Sequence, residues 1–149
     1  DAIAAFGGMG SMNNNMNPYL KQKIMSASPE QLVCYIYDAG ITVGIHNGDS
    51  GNFQTRNLPF YAGQVVGQGL SKENALKLIT SNTAKILGIG NKVGTLSAGK
   101  DATLFISKGD ALDMRTNQIE KAYISGREIS LESHQTKLWK RYKNKYESQ

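Results

Sequence analysis

The residues with the best claim to chemistry lie together, in His46-Asn47-Gly48-Asp49-Ser50-Gly51-Asn52. This polar, glycine-rich run follows directly on the apolar stretch Ile41-Thr42-Val43-Gly44-Ile45. In α/β folds, loops at the carboxyl ends of strands carry the reacting groups. The loop offers a carboxylate, Asp49, and an imidazole, His46. Arg56 and Asn57, a few residues on, could rim the same pocket and orient a polar substrate group. A plainer role is open for each: Asn-Gly-Asp-Ser is turn-like, where an Asp closes an Asx-turn, and a lone His is commonly a hydrogen-bonded loop residue.

The same inventory limits what the chain can do alone. It has two histidines, His46 and His134, far apart in sequence. A hydrolytic zinc takes about three protein ligands and an open position. One carboxylate in one loop cannot hold it, so the chain alone is expected to bind zinc weakly and to be inactive.

The elements that must position this loop can be read on either side of it. Ser28-Pro29-Glu30-Gln31 is a helix start, with Ser28 as N-cap, Pro29 at the first position and Gln31 placed to close a capping box. The helix should cover about 29–38, and Gly40 is a natural residue to end it. Residues 41–45 are β-branched and continuously apolar, as expected of a strand buried on both faces. Helix, glycine stop and buried strand make one step of a parallel α/β sheet. Helices follow over 60–70 and 72–87, the second capped by Ser71. After Gly88 the period changes. Strands are expected near 95–97, 102–106, 119–124 and 127–130, then a helix over 132–146. Residues 1–25, with Gly7, Gly8, Gly10 and four asparagines, read as poorly ordered.

Composition sets wider limits. The chain has 149 residues, one domain's worth, and 40% are hydrophobic, enough for a core. No apolar run is long enough to span a membrane, and the first residues lack the pattern of a signal peptide, which makes a cytoplasmic location the default. The single cysteine, Cys34, reads as a buried thiol. The net charge is +5, with Lys137, Lys140, Arg141, Lys143 and Lys145 clustered in the last helix. No nucleic-acid-binding motif accompanies them, and a solvated helix face is the expectation. Neither nucleic acid nor membrane is an expected partner.

One segment is more specific. Val93-Gly94-Thr95-Leu96-Ser97-Ala98-Gly99-Lys100-Asp101-Ala102-Thr103-Leu104-Phe105-Ile106 resembles the signature with which amidohydrolase-superfamily hydrolases leave their barrel for a small β-sandwich. Leu70-Ser71-Lys72-Glu73-Asn74-Ala75-Leu76 and Thr80-Ser81-Asn82-Thr83-Ala84-Lys85-Ile86-Leu87-Gly88 are similar to the last barrel helices. Ala122-Tyr123-Ile124-Ser125-Gly126-Arg127 resembles the closing hairpin. The likeness covers about residues 40–149 and points to the imidazolonepropionase-like branch.

The resemblance implies the C-terminal fragment of a (β/α)8 barrel over 40–92, then part of a small β-sandwich and a helix over 93–149. It implies a metal-dependent hydrolase of C–N bonds in non-peptide, possibly cyclic, amides. The divalent metal, expected to be zinc, would bind only in a complete protein, as would a small-molecule substrate. In the family the last barrel strand ends in an Asp that touches the metal and takes a proton from the attacking water. Asp49 resembles that residue, as base and metal ligand; His46, Arg56 and Asn57 would face substrate. A barrel needs about 250 residues, so the chain would carry part of one, with an open edge through which copies could associate.

The helical N-terminal segment is different. Met16-Asn17-Pro18-Tyr19-Leu20, Ser26-Ala27-Ser28-Pro29-Glu30-Gln31-Leu32-Val33 and Tyr37-Asp38 resemble the first helix of the flagellar export chaperone family. Residues 26–39 would then be a chaperone-like helix after a flexible 1–25. The alternatives to an enzyme portion are thus a chaperone-like binding protein or a non-functional fusion fragment.

Overall fold

The computed structural model describes residues 18–47 and 52–147. Two helices open it, α1 (Pro18–Ser26) and α2 (Pro29–Asp38). The second forms as its local code requires. Ser28 Oγ accepts from the Gln31 N–H at 3.3 Å, and the Gln31 side chain accepts from the Ser28 N–H at 3.0 Å, a closed capping box. At the other end Gly40 takes φ +78°, its N–H reaches Tyr37 O, and the Ile41 N–H reaches Ile36 O. That pair of bonds is a Schellman motif, which only a residue content with positive φ can complete.

Helix α1 replaces an expectation of poor order over 18–25. Pro18 stands at its start, and Leu20, Lys21, Gln22, Lys23 and Met25 are good helix formers that outweigh the flanking asparagines and glycines.

Residues 41–47 cross the core without becoming a strand, contrary to expectation. Val43 and Ile45 are buried around a half-buried Gly44, the alternation of an extended chain. A parallel strand exists only beside a hydrogen-bonded neighbour, and among the described residues none lies next to this segment. A 3-10 turn (Asn52–Asn57) then leads into α3 (Leu58–Gly67), α4 (Lys72–Ile79) and α5 (Ser81–Ile86).

The expected helix over 72–87 is broken at Thr80, whose backbone leaves the helical region (φ −125°, ψ −94°). Its Oγ1 donates to Leu76 O at 2.7 Å, the back-bonding by which Thr loosens a helix end.

Val33, Cys34, Val43, Ile45, Ala62, Val65, Leu70, Ala75, Leu78 and Leu112 form one core. Gly63 lets the 110–114 loop lie on α3, since a Cβ there would meet Leu112 O at 2.2 Å.

The rest is an antiparallel meander of β1 (Leu104–Ser107), β2 (Ile119–Ile124) and β3 (Arg127–Ile129), then α6 (His134–Glu147). Leu104 pairs with Tyr123 and Phe105 with Ala122, and a bulge falls at Ile106/Ser107. Ser125 (φ 49°) and Gly126 (φ 79°) make the two-residue turn between β2 and β3, the positive-φ pair that matches strand twist. The strand expected at 95–97 does not form; Leu96 is 85% exposed, and no strand among the described residues pairs with it. Phe105, Ile106, Ile119, Ile124 and Ile129 are also exposed, so the sheet is an uncovered apolar surface. No described helix is long and apolar enough to cross a membrane.

Candidate active site

The loop of interest begins where residues 41–47 leave the core, and α4 and α5 fix that exit. The Ile45 N–H donates to Leu78 O at 3.1 Å, and Asn82 Nδ2 donates to Val43 O at 3.0 Å. Thr83 Oγ1 shares the Leu78 carbonyl at 2.7 Å. Gly44 makes this approach possible: a Cβ there would stand 2.9 Å from Thr83 Oγ1 and 3.2 Å from Ile86. One helix carbonyl, from Leu78, and one side-chain amide, from Asn82, thus satisfy backbone groups that a neighbouring strand would otherwise bond.

His46 is exposed at the head of this segment. Beside it, Asn47 Nδ2 donates to Thr55 Oγ1 at 3.2 Å, which ties the two limbs of the loop together. His46 and Arg56 are the sequence neighbours of the two bonded residues. Tyr61 OH donates to Gln54 Oε1 at 3.1 Å and anchors the returning limb to α3. Arg56 is exposed, as a rim residue must be. Asn57 precedes α3 as its cap position, yet its side chain makes no capping bond. Asp49 lies outside the described residues.

Asn47 lies in the run that the sequence marks, but the supporting side chains Thr55, Asn82 and Thr83 were not singled out by sequence reasoning. Their only signal is a cluster of small polar residues where helices begin and loops return.

Among the described residues no group of three or more His, Cys, Asp or Glu is placed to hold a metal ion. Cys34 adds no nucleophile, because burial pushes its thiol above the ordinary value, the opposite of what a reactive thiolate needs.

An open cleft of about 350 Å³ lies elsewhere, lined in part by Phe60, Val66, Lys72, Leu112 and Met114. Lys72 Nζ meets Asp110 Oδ2 at 2.6 Å at its edge. That bond, helped by the Leu112 N–H, holds the Asp110 carboxyl below the usual range. The pair fastens the 110–114 loop to α4, a structural duty at a distance in sequence from the 46–57 loop.

The chain matches the amidohydrolase family over residues 36–129. It is 40% identical over 60 residues to an imidazolonepropionase of Syntrophobacter fumaroxidans, a match covering 40% of this chain and 14% of that protein. An amidohydrolase crystal structure from Thermotoga maritima superposes with a TM-score of 0.62 at 28% identity, covering 68% of this chain and 26% of that one. A prolidase complexed with N-methylphosphonate-L-proline shares the fold at TM-score 0.55 and 19% identity, over 78% of this chain and 30% of its own. The chain therefore spans between about a seventh and a third of these relatives.

Proposed function

Because the chain belongs to the amidohydrolase family, we propose that it is the C-terminal portion of a metal-dependent hydrolase of C–N bonds in small, non-peptide amides. Helices followed by a small sheet, in a chain whose structural relatives are amidohydrolases, fit a TIM-barrel-type parent. Residues 40–92 would be its last βα units, and 93–149 part of the sandwich with a helix. The observation that carries this reading is the segment 41–47, which carries Val43 and Ile45 into the core. Alternate residues are buried, as along an extended chain, and its backbone is held by Leu78 and Asn82, with no strand beside it among the described residues. The apolar residues left exposed on the sheet fit a sandwich that lacks its other layer.

On this reading the 46–57 loop supplies one wall of the site. The Asp49 carboxylate accepts a proton from the attacking water, while Arg56 and Asn57 orient the polar end of the substrate beside His46. In a complete protein the divalent metal would activate that water. The remaining ligands would come from strands that precede residue 40, and the open edge would let isolated copies associate. Nothing favours the chaperone-like alternative: Val33 and Cys34 of α2 are buried in the same core as α3 and α4.

Hydrolysis of a panel of cyclic amides tests the proposal. The chain alone is expected to show no turnover. The same chain joined to, or co-expressed with, the missing barrel strands is expected to show it. Turnover by the isolated chain would remove the claim of incompleteness. A folded, metal-loaded complete protein without turnover would remove the hydrolase.

A further inference from the structure

Every residue of α6 is exposed, although it carries four large hydrophobic side chains. Leu138 is 37%, Trp139 59%, Tyr142 50% and Tyr146 66% accessible. At 3.6 residues per turn these four fall within about 100° of the helix circumference. Arg141 and Lys145 border the stripe on one side, and Lys143 on the other. Lys143 Nζ sits 5.0 Å from the Trp139 ring centre and Lys145 Nζ 5.9 Å from that of Tyr146. Lys137 and Lys140 add charge to the opposite face, and Glu147 is the only acid in the helix.

We propose that α6 lies on an anionic lipid surface, with Leu138, Trp139, Tyr142 and Tyr146 in the headgroup layer and the flanking cations on lipid phosphates and carboxylates. The charge is complementary, and the stripe is rich in the two residues that prefer the water–lipid boundary, Trp and Tyr. A nucleic-acid contact would use the cations but leave the aromatic stripe in water. A second copy would set two strongly basic helices against each other, over too short a helix to bury a standard interface. The proposal adds a lipid contact to the solvated helix face expected from the sequence. A peripheral docking role needs no spanning segment, and it is separate from the hydrolase reading.

Trp139 is the only tryptophan in the chain and reports directly on the stripe. The full chain is titrated with vesicles of phosphatidylserine and phosphatidylcholine, and with vesicles of phosphatidylcholine alone. The expected result is a blue shift of Trp139 emission and co-sedimentation with the anionic vesicles only, both reversed by salt. Lys143→Glu combined with Lys145→Glu, checked for unchanged circular dichroism, should weaken the partition by at least about tenfold. Unshifted emission with anionic vesicles would overturn the proposal. So would equal binding to neutral vesicles, or equal binding by the double variant, which would place the lipid contact on the uncovered sheet. A shift produced by duplex DNA or by raising protein concentration, and not by vesicles, would assign the stripe to those partners instead.

Discussion

In a protein that carries the rest of the barrel, Asp49→Asn is expected to lower turnover by about 10²–10⁴-fold, the usual contribution of a positioned general base. The substitution keeps size and most hydrogen bonding but replaces a proton acceptor with a neutral amide. Stability should stay within about 0.5 kcal/mol, because loop substitutions away from the core usually cost no more. Asp101→Asn is the matched control. Asp101 stands just before β1, is exposed, and has its backbone N–H on Lys92 O at 2.8 Å. It should leave both turnover and stability unchanged. Full turnover in Asp49→Asn would make Asp49 a turn residue and remove it from the site.

The second large effect is on stability. Leu78 on α4 is fully buried, and its carbonyl accepts from both Ile45 and Thr83. Leu78→Ala should cost about 2–5 kcal/mol, the range for a truncated core leucine. A whole domain is stable by only about 5–15 kcal/mol, so much of the transition would be lost. Leu76, two residues away on the same helix, is 38% exposed. Leu76→Ala should cost under about 1 kcal/mol, since less apolar surface leaves water there. Urea unfolding of both variants decides the point. Equal losses would mean that α4 does not turn Leu78 inward, and the packing that holds residues 41–47 would need another account.

The parts of the fold that were legible in advance are those whose code is local. The capping box at Ser28 and Gln31 and the glycine stop at Gly40 each need only a few consecutive residues, and each forms as read. The strands expected at 41–45 and 95–97 need neighbours distant in sequence, and apolar pattern alone cannot supply them. The helix at 18–26 was missed because the adjoining asparagines and glycines outweighed a good stretch of helix formers.

The site is similarly divided. A polar, glycine-rich run after an apolar one marks the loop, and the Asn47–Thr55 bond ties the described residues on either side of it. The scaffold beneath the loop was hidden, because Asn82 and Thr83 fall inside the helix expected over 72–87 until the fold brings them onto Val43 O and Leu78 O.

Zinc content after dialysis puts the central claim, that this chain holds one wall of a shared metal site, to its most direct test. The 149-residue chain should retain well under one equivalent and bind zinc only weakly, whereas the protein extended through the preceding barrel strands should retain it. One equivalent held by the isolated chain with micromolar or tighter affinity would contradict the account, because the ligands would then be assembled without the rest of the barrel.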